Sequence, residues 1–214
     1  LYDLANQGIS IIVISSELKK IFVSRYNNKL NNVHVLHDAA KSDRKPIDSN
    51  KRKIIIQKYF KNIRGTKVGY FGNLYKGRGL KLIQKLAQSN KNINFLIFGK
   101  TNKVKNMKNV FYFGFIQPKK IYDLMCSVDI LIMPYEKKVS IGIKKVDTSR
   151  WMSPLKMFEY MSARKPILSS NHKVLKEVLI HKKNAFIVDD FSVKNWSKSL
   201  NLLKKNTKLQ KILS

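Results

Sequence analysis

Apolar and polar positions fall in blocks along this chain, and the block lengths are regular from Lys67 onward. Short continuous apolar runs recur at Val68-Gly69-Tyr70-Phe71, Phe95-Leu96-Ile97-Phe98, Val110-Phe111-Tyr112-Phe113, Ile130-Leu131-Ile132-Met133, Ile167-Leu168 and Ala185-Phe186-Ile187-Val188. Runs this short suit strands, and the absence of strict alternation suits strands covered on both faces. The intervals carry helical spacing instead. Leu80, Ile83 and Leu86 with Ala87 share one face over 80–87, residues 118–128 and 174–179 also read as helices, and one or two more follow Val193. Strands alternating with helices predict an α/β fold, a Rossmann-like parallel sheet with helices on both faces.

The chain before Lys67 is patterned differently. Ile9 to Ile14 reads as a strand. Ser15 and Ser16 offer an N-cap, with Glu17 in the first turn of a helix running to about Tyr26. Val33-His34-Val35-Leu36 is a second short strand, followed by His37-Asp38. Residues 39–52 are polar with one proline and read as a linker. A helix over 54–61 follows. The organisation expected is therefore 1–38 as the tail of an earlier domain, 39–52 as the crossing, and 53–214 as the main domain.

The most informative stretch is Ser153-Pro154-Leu155-Lys156-Met157-Phe158-Glu159-Tyr160-Met161, leading to Lys165-Pro166 and the Ile167-Leu168 strand. Ser153 suits an N-cap and Pro154 a first helical position. Leu155, Met157, Phe158, Tyr160 and Met161 wrap most of the circumference, so this helix is expected to be buried on nearly every side. Ser153, Lys156, Glu159 and Ser162 recur every third residue as one narrow polar stripe. A cation in the first turn opposes the helix dipole. A bound phosphate would remove that penalty, and Glu159 one turn deeper could take sugar hydroxyls. The alternative is an ordinary Lys156–Glu159 surface pair worth a few tenths of a kcal/mol. Both readings stand on this stretch alone.

Three predicted strands end in Phe-Gly, at Gly72, Gly99 and Gly114. Glycine at a strand's carboxyl end permits close approach of a ligand, and that edge is where open α/β sheets bind. The competing reading is that these glycines only make turns. Gly72-Asn73-Leu74-Tyr75-Lys76-Gly77-Arg78-Gly79 joins a strand to a helix. It lacks the Gly-Lys-Ser/Thr ending of a P-loop and the spacing of the dinucleotide fingerprint. It still has the parts of an anion cradle, with Arg78 able to reach an oxygen.

Composition narrows the classes. The chain has 214 residues with 43% hydrophobic, which excludes a disordered chain. No apolar run approaches the ~18 residues of a membrane span. It begins at Leu1 without a leader pattern, which reads as a start that has been cut away or as a piece of something longer. Cys126 is the single cysteine, so neither a disulfide nor a zinc site forms within the chain, and a reducing cytoplasm fits. The four histidines, His34, His37, His172 and His181, show no metal or triad spacing and read as structural, His37 being the one placed to face an interdomain cleft. Lys and Arg total 43 against 13 acids, a net charge of +30. The lysines are scattered rather than gathered into one arm. A compositional habit ranks first, peripheral contact with an anionic membrane face second, and nucleic acid last.

Gly72 to Gly79, Phe113-Gly114, Pro134, and above all Ser153 to Met161 with Lys165-Pro166 and Glu177, resemble the C-terminal, donor-binding domain of the retaining glycosyltransferases of the GT-B fold, known as family 4 or glycosyl transferases group 1. The likeness covers nearly the whole chain. It makes 1–38 the end of an N-terminal acceptor domain and 53–214 the nucleotide-sugar domain. It implies that Glu159 holds the nucleotide ribose, and that the helix start at Ser153, Pro154 and Leu155, together with Arg78, holds the diphosphate, with Lys156 in reach. Gly72, Asn73, Gly114 and Phe115 complete the implied donor site, the base lying near Gly114-Phe115-Ile116. The sequence departs from the family at three places. The first of its two spaced glutamates falls at Trp151, with Glu136 and Asp147 nearby but out of register. Its arginine after the first glycine is Asn73, and the glycine before Lys165 is Arg164.

The resemblance implies transfer of a sugar from a nucleotide-diphosphate sugar to an acceptor hydroxyl with retention, in the making of a polysaccharide, on a glycan or lipid-linked acceptor. It needs no cofactor and no metal, because the work is stabilising charge on the departing diphosphate. Arg78 and Lys156 are the expected catalytic groups. The alternatives are a nucleotide-sugar epimerase of the same fold, and a basic protein that binds RNA or a membrane surface.

Overall fold

The computed structural model describes residues 2–26, 30–41, 45–101, 104–143 and 145–214, so residues 42–44 of the expected linker lie outside the described residues. The chain opens with α1 (Tyr2–Asn6), β1 (Ile11–Val13), α2 (Ser16–Ser24) and β2 (Val33–Val35). β1 and β2 pair in parallel as a separate two-stranded sheet. Ala5, Ile11, Val13, Leu30 and Val33 form a small core beneath it. Ser15 is the N-cap of α2, its Oγ accepting from the Leu18 N–H.

Next come α3 (Ser49–Phe60), β3 (Thr66–Phe71), α4 (Leu80–Ser89), β4 (Ile93–Phe98), β5 (Val110–Gly114), α5 (Pro118–Ser127) and β6 (Ile130–Met133). The chain ends with α6 (Leu155–Ser162), β7 (Ile167–Ser170), β8 (Phe186–Val188), α7 (Val193–Lys205) and α8 (Thr207–Ile212). Six strands form one sheet in the order β5-β4-β3-β6-β7-β8, every pair parallel. One core, built on α3, α5 and α6, covers one face of this sheet and includes Phe60, Leu124, Met157 and Tyr160. The other face carries α4 and α7, with Leu82, Ile83, Trp196 and Leu200. Strand order reverses direction between β3 and β6, so the loops leaving these two strands meet at the sheet's carboxyl edge, the place where such sheets bind ligands.

Three expectations need correction. The helix expected over 54–61 starts earlier, at Ser49, because Asp48 accepts from the Lys51 N–H and caps it. Its first turn is polar and solvent-facing, so apolar periodicity gives no sign of it. The helix expected over 174–179 is a run of turns, stitched by mixed bonds such as Val178 N–H to Leu175 O and Leu179 N–H to Leu175 O. Val174, Leu175 and Leu179 are buried, and packing these side chains overrides the weak helical spacing. Finally, α6 is not buried on nearly every side. Met157 and Tyr160 are buried and Phe158 and Met161 are partly covered, but Leu155 is 59% exposed. Only one side of α6 meets the sheet.

Candidate functional site

The glycine-rich turn between β3 and α4 earns its glycines individually. Gly72 has φ +122°, and a Cβ there would lie 2.9 Å from Lys156 Nζ. Gly77 and Gly79 also have positive φ, and a Cβ on either would collide with a backbone carbonyl, that of Lys138 or of Pro134. The Glu136 N–H bonds Gly77 O at 2.9 Å and the Ser140 N–H bonds Lys76 O at 3.0 Å. The loops after β3 and β6 are thus fastened together at the switch point. Gly99 is a turn of another kind: a Cβ there would strike Gly72 O, so it makes room for the neighbouring strand end and not for a ligand. Gly114 has φ +66° and open space around its Cβ position. Phe115 beside it is 63% exposed, with Lys100 Nζ 5.5 Å from its ring centre.

α6 docks on the end of β3 through two residues four apart, which lie on one helix face. The Tyr160 hydroxyl accepts from the Phe71 N–H at 2.8 Å. One turn earlier, Lys156 Nζ donates to the Tyr70 hydroxyl at 2.9 Å and lies 4.1 Å from the Tyr70 ring centre and 5.6 Å from that of Tyr135. The Tyr70 hydroxyl itself donates to Asn73 O at 3.2 Å. Burial drives the Lys156 pKa well below the ordinary lysine range; the positive charge of Arg78 pushes the same way and Glu159 opposes it. The Tyr135 hydroxyl is buried and its pKa is pushed up to about 12, with Arg78 acting in the opposite sense. The phenol therefore stays neutral and serves as a hydrogen-bonding wall.

Arg78 faces the loop after β6. Its Nε donates to Ser140 O at 3.0 Å and one terminal nitrogen to the Tyr135 hydroxyl at 3.1 Å. Asn73, where the resembled family has arginine, ties neighbouring loops: its Oδ1 accepts from the Lys100 N–H and its Nδ2 donates to the Tyr75 hydroxyl. The start of α6 also differs from the expected cap. Pro154 is extended and occupies the cap position itself, and no side chain bonds the first amides. The Ser153 hydroxyl is buried without a hydrogen-bond partner. A buried orphan hydroxyl next to an uncapped helix start is unsatisfied until something that accepts hydrogen bonds arrives. Glu159 is half-buried on the next turn.

The irregular loop between β6 and α6 is anchored by a few buried residues. Tyr135, Val139 and Thr148 are buried within it. Burial alone would raise the Asp147 carboxyl, but hydrogen bonds from the Ser149 and Val139 amides outweigh it and hold the group below its usual range. Asp147 is therefore engaged in holding its own loop. Trp151, at the register of the family's first glutamate, hands its carbonyl to Ser15 Oγ at 3.2 Å. A second tie joins the same parts of the chain: Glu177 accepts from the Ser16 and Glu17 amides at 2.6 and 3.1 Å, with His37 Nε2 3.7 Å away.

Lys156, Gly72 and Arg78 are therefore brought to one place, with Ser153 and Glu159 on the same helix as Lys156. Gly114 and Phe115 stand at the next strand ends along the edge. Tyr70 and Tyr135, which surround the lysine, carry no motif of their own. The only hint was that Tyr70 immediately precedes a Phe-Gly strand end.

An open parallel sheet with its switch point closed by a glycine loop and a helix start is the C-terminal half of a GT-B fold. The chain belongs to the family Glycosyl transferases group 1, whose pattern matches residues 51–214. It is similar to TuaH of Bacillus subtilis, a protein attributed to teichuronic acid biosynthesis as a glycosyltransferase, at 29% identity over 115 residues, covering 50% of this chain and 27% of TuaH. Among solved structures, a glycosyltransferase from Rickettsia africae superposes with a TM-score of 0.77 at 14% identity, over 97% of this chain and 56% of that one. Anabaena HepE, solved with UDP and glucose, gives 0.75 at 16% identity, over 99% of this chain and 58% of HepE. The chain thus spans little more than half the length of these structures.

Proposed function

We propose that this chain is the donor-binding half of a glycosyltransferase that takes a sugar from a nucleotide diphosphate and passes it to an acceptor hydroxyl with retention. The observation that carries this reading is the meeting of Lys156 with Gly72 beside the uncapped start of α6, where the Ser153 hydroxyl has no partner. A diphosphate seated there would accept from Ser153 and the first amides of α6, and would restore the charge that burial takes from Lys156. Arg78, held by Tyr135 and Ser140, stands on the opposite wall. Negative charge growing on the departing diphosphate is stabilised by these groups without a protein nucleophile or a bound metal. Glu159 takes ribose hydroxyls. UDP in complex with HepE supports a nucleotide donor.

Calorimetry with UDP and GDP tests this. The chain should bind one of them, and Glu159→Ala should weaken binding by about 1.5–3 kcal/mol, the range for a hydrogen bond to a charged group. Unchanged affinity would remove Glu159 from the site. Absence of binding by either nucleotide would sink the donor reading.

A further inference from the structure

A large concavity of about 1560 Å³ opens on the α4 and α7 side of the same sheet edge, and its lining includes none of Ser153, Lys156 and Glu159. It shares its wall with the donor site, since both are bounded by the loops after β3 and β6. Lysines from four separate segments line it: Lys76 on the glycine loop, Lys81 and Lys85 on α4, Lys100 after β4, and Lys137 with Lys138 after β6. All of these lysines are exposed. Against them stand Glu136 and Asp147, and Asp147 is already engaged by two amides. Tyr75 and Tyr112 are also in the lining, with apolar residues such as Ile143 and Phe191; the two tyrosines are 43% and 44% exposed, with their hydroxyls accepting from Asn73 Nδ2 and the Thr101 N–H. Engaged hydroxyls leave the rings themselves as the surface on offer.

The shape and chemistry select the ligand. The space exceeds the roughly 300–1,000 Å³ of small-molecule pockets. A bilayer surface does not enter a concavity. No arginine lines it among the described residues, so the planar forks that grip phosphodiesters two-pronged are missing. Point charges spread over a broad groove suit a flexible chain with acidic groups at intervals, and exposed tyrosine rings suit the C–H faces of sugar rings. We propose that this groove docks an acidic glycan, a stretch of the acceptor chain away from its reacting end. This rests on the sugar-transfer reading and names the class of acceptor. Its test uses neither donor nor transfer, so the two readings fail separately.

The probe is a fluorescent polygalacturonate oligosaccharide, titrated with the 214-residue chain at 0.15 M salt. Neutral dextran of equal length and oligo-dT serve as the other arms. One variant combines Lys81→Glu, Lys85→Glu and Lys137→Glu. A second combines Lys205→Glu, Lys208→Glu and Lys211→Glu at the far end of α7 and on α8, with the same change of net charge. The groove variant should lose about tenfold or more in affinity for polygalacturonate, while the remote variant changes by less than about twofold. Equal losses in both would mean that overall charge alone is felt, and would overturn the proposal. So would dextran binding as well as the acidic chain, or oligo-dT binding more tightly with the same sensitivity to the groove variant. If circular dichroism shows either Glu set unfolded, the corresponding Lys→Gln sets carry the same comparison.

Discussion

Lys156 and the lysines of the groove stand on either side of one pair of loops, yet they are held in opposite ways. Lys156 is packed against two tyrosine rings and bonded to a hydroxyl, and its charge is disfavoured by burial and by Arg78. Lys81, Lys85 and Lys137 lie in solvent at the rim of a wide groove. A net charge of +30 spread over the sequence therefore says little about chemistry by itself. A desolvated, oriented cation recognises one anion at a defined place. Hydrated cations on a broad wall supply a field that is weakened by salt and tolerates many arrangements. On the readings proposed above, one sheet edge pairs a specific donor site with a permissive surface for a polymer.

The largest effect should come from the wall between the two regions. Gly79→Ala puts a Cβ against Pro134 O at a position with φ +88°. It should destabilise the chain by about 3 kcal/mol or more in urea unfolding, combining left-handed strain with a backbone clash. Gly114→Ala, with positive φ but open space, should cost only about 1 kcal/mol. Equal costs would mean that the two loops are not fastened as described.

Next comes Lys156→Met, which should lower nucleotide affinity by about 1.5–3 kcal/mol by calorimetry while raising stability. The sign follows from linkage. The folded pKa of Lys156 lies below its unfolded value of about 10.4, so between the two the unfolded chain binds more protons. This group therefore makes stability rise with pH across that window. The substitution should flatten the rise relative to the parent chain. In the parent, nucleotide affinity should fall as pH climbs through the folded pKa, because the ammonium is the form that meets the diphosphate. Parallel profiles for parent and variant would break the contrast between buried and exposed lysine.

The smallest effect belongs to the groove. Lys81→Gln alone should move stability by less than about 0.5 kcal/mol and leave nucleotide affinity unchanged. A larger change in nucleotide affinity would merge the two regions into one site.

Much of the fold was legible because a buried parallel strand is a short apolar run, and the six runs from Val68 to Val188 are the six strands of the main sheet. The start of α3 and the turns after β7 were not legible. The first depends on a cap ahead of a polar turn, and the second on local contacts that override weak helical spacing. In the site, Lys156 and Glu159 stood out as charges on an apolar helix, and the glycines as strand ends. Tyr70, Tyr135 and Tyr160 did not, since a tyrosine in an apolar run looks like any core residue until its hydroxyl is seen to have a partner. The three Phe-Gly ends looked equivalent in sequence. In space one makes room for a lysine, one for a neighbouring strand end, and one for nothing but its own turn.

The order of residues by itself determined the alternation of strands and helices, the family to which the chain belongs, and the polar stripe of Lys156 and Glu159 on α6, because these depend on local spacing and residue type. Only the tertiary structure decided that Lys156 lies against Gly72 under two aromatic rings, that the first turn of α6 has no cap, and that scattered lysines gather around one groove. Those facts depend on which strand ends the topology makes neighbours, and strand order is set by packing over the whole sheet.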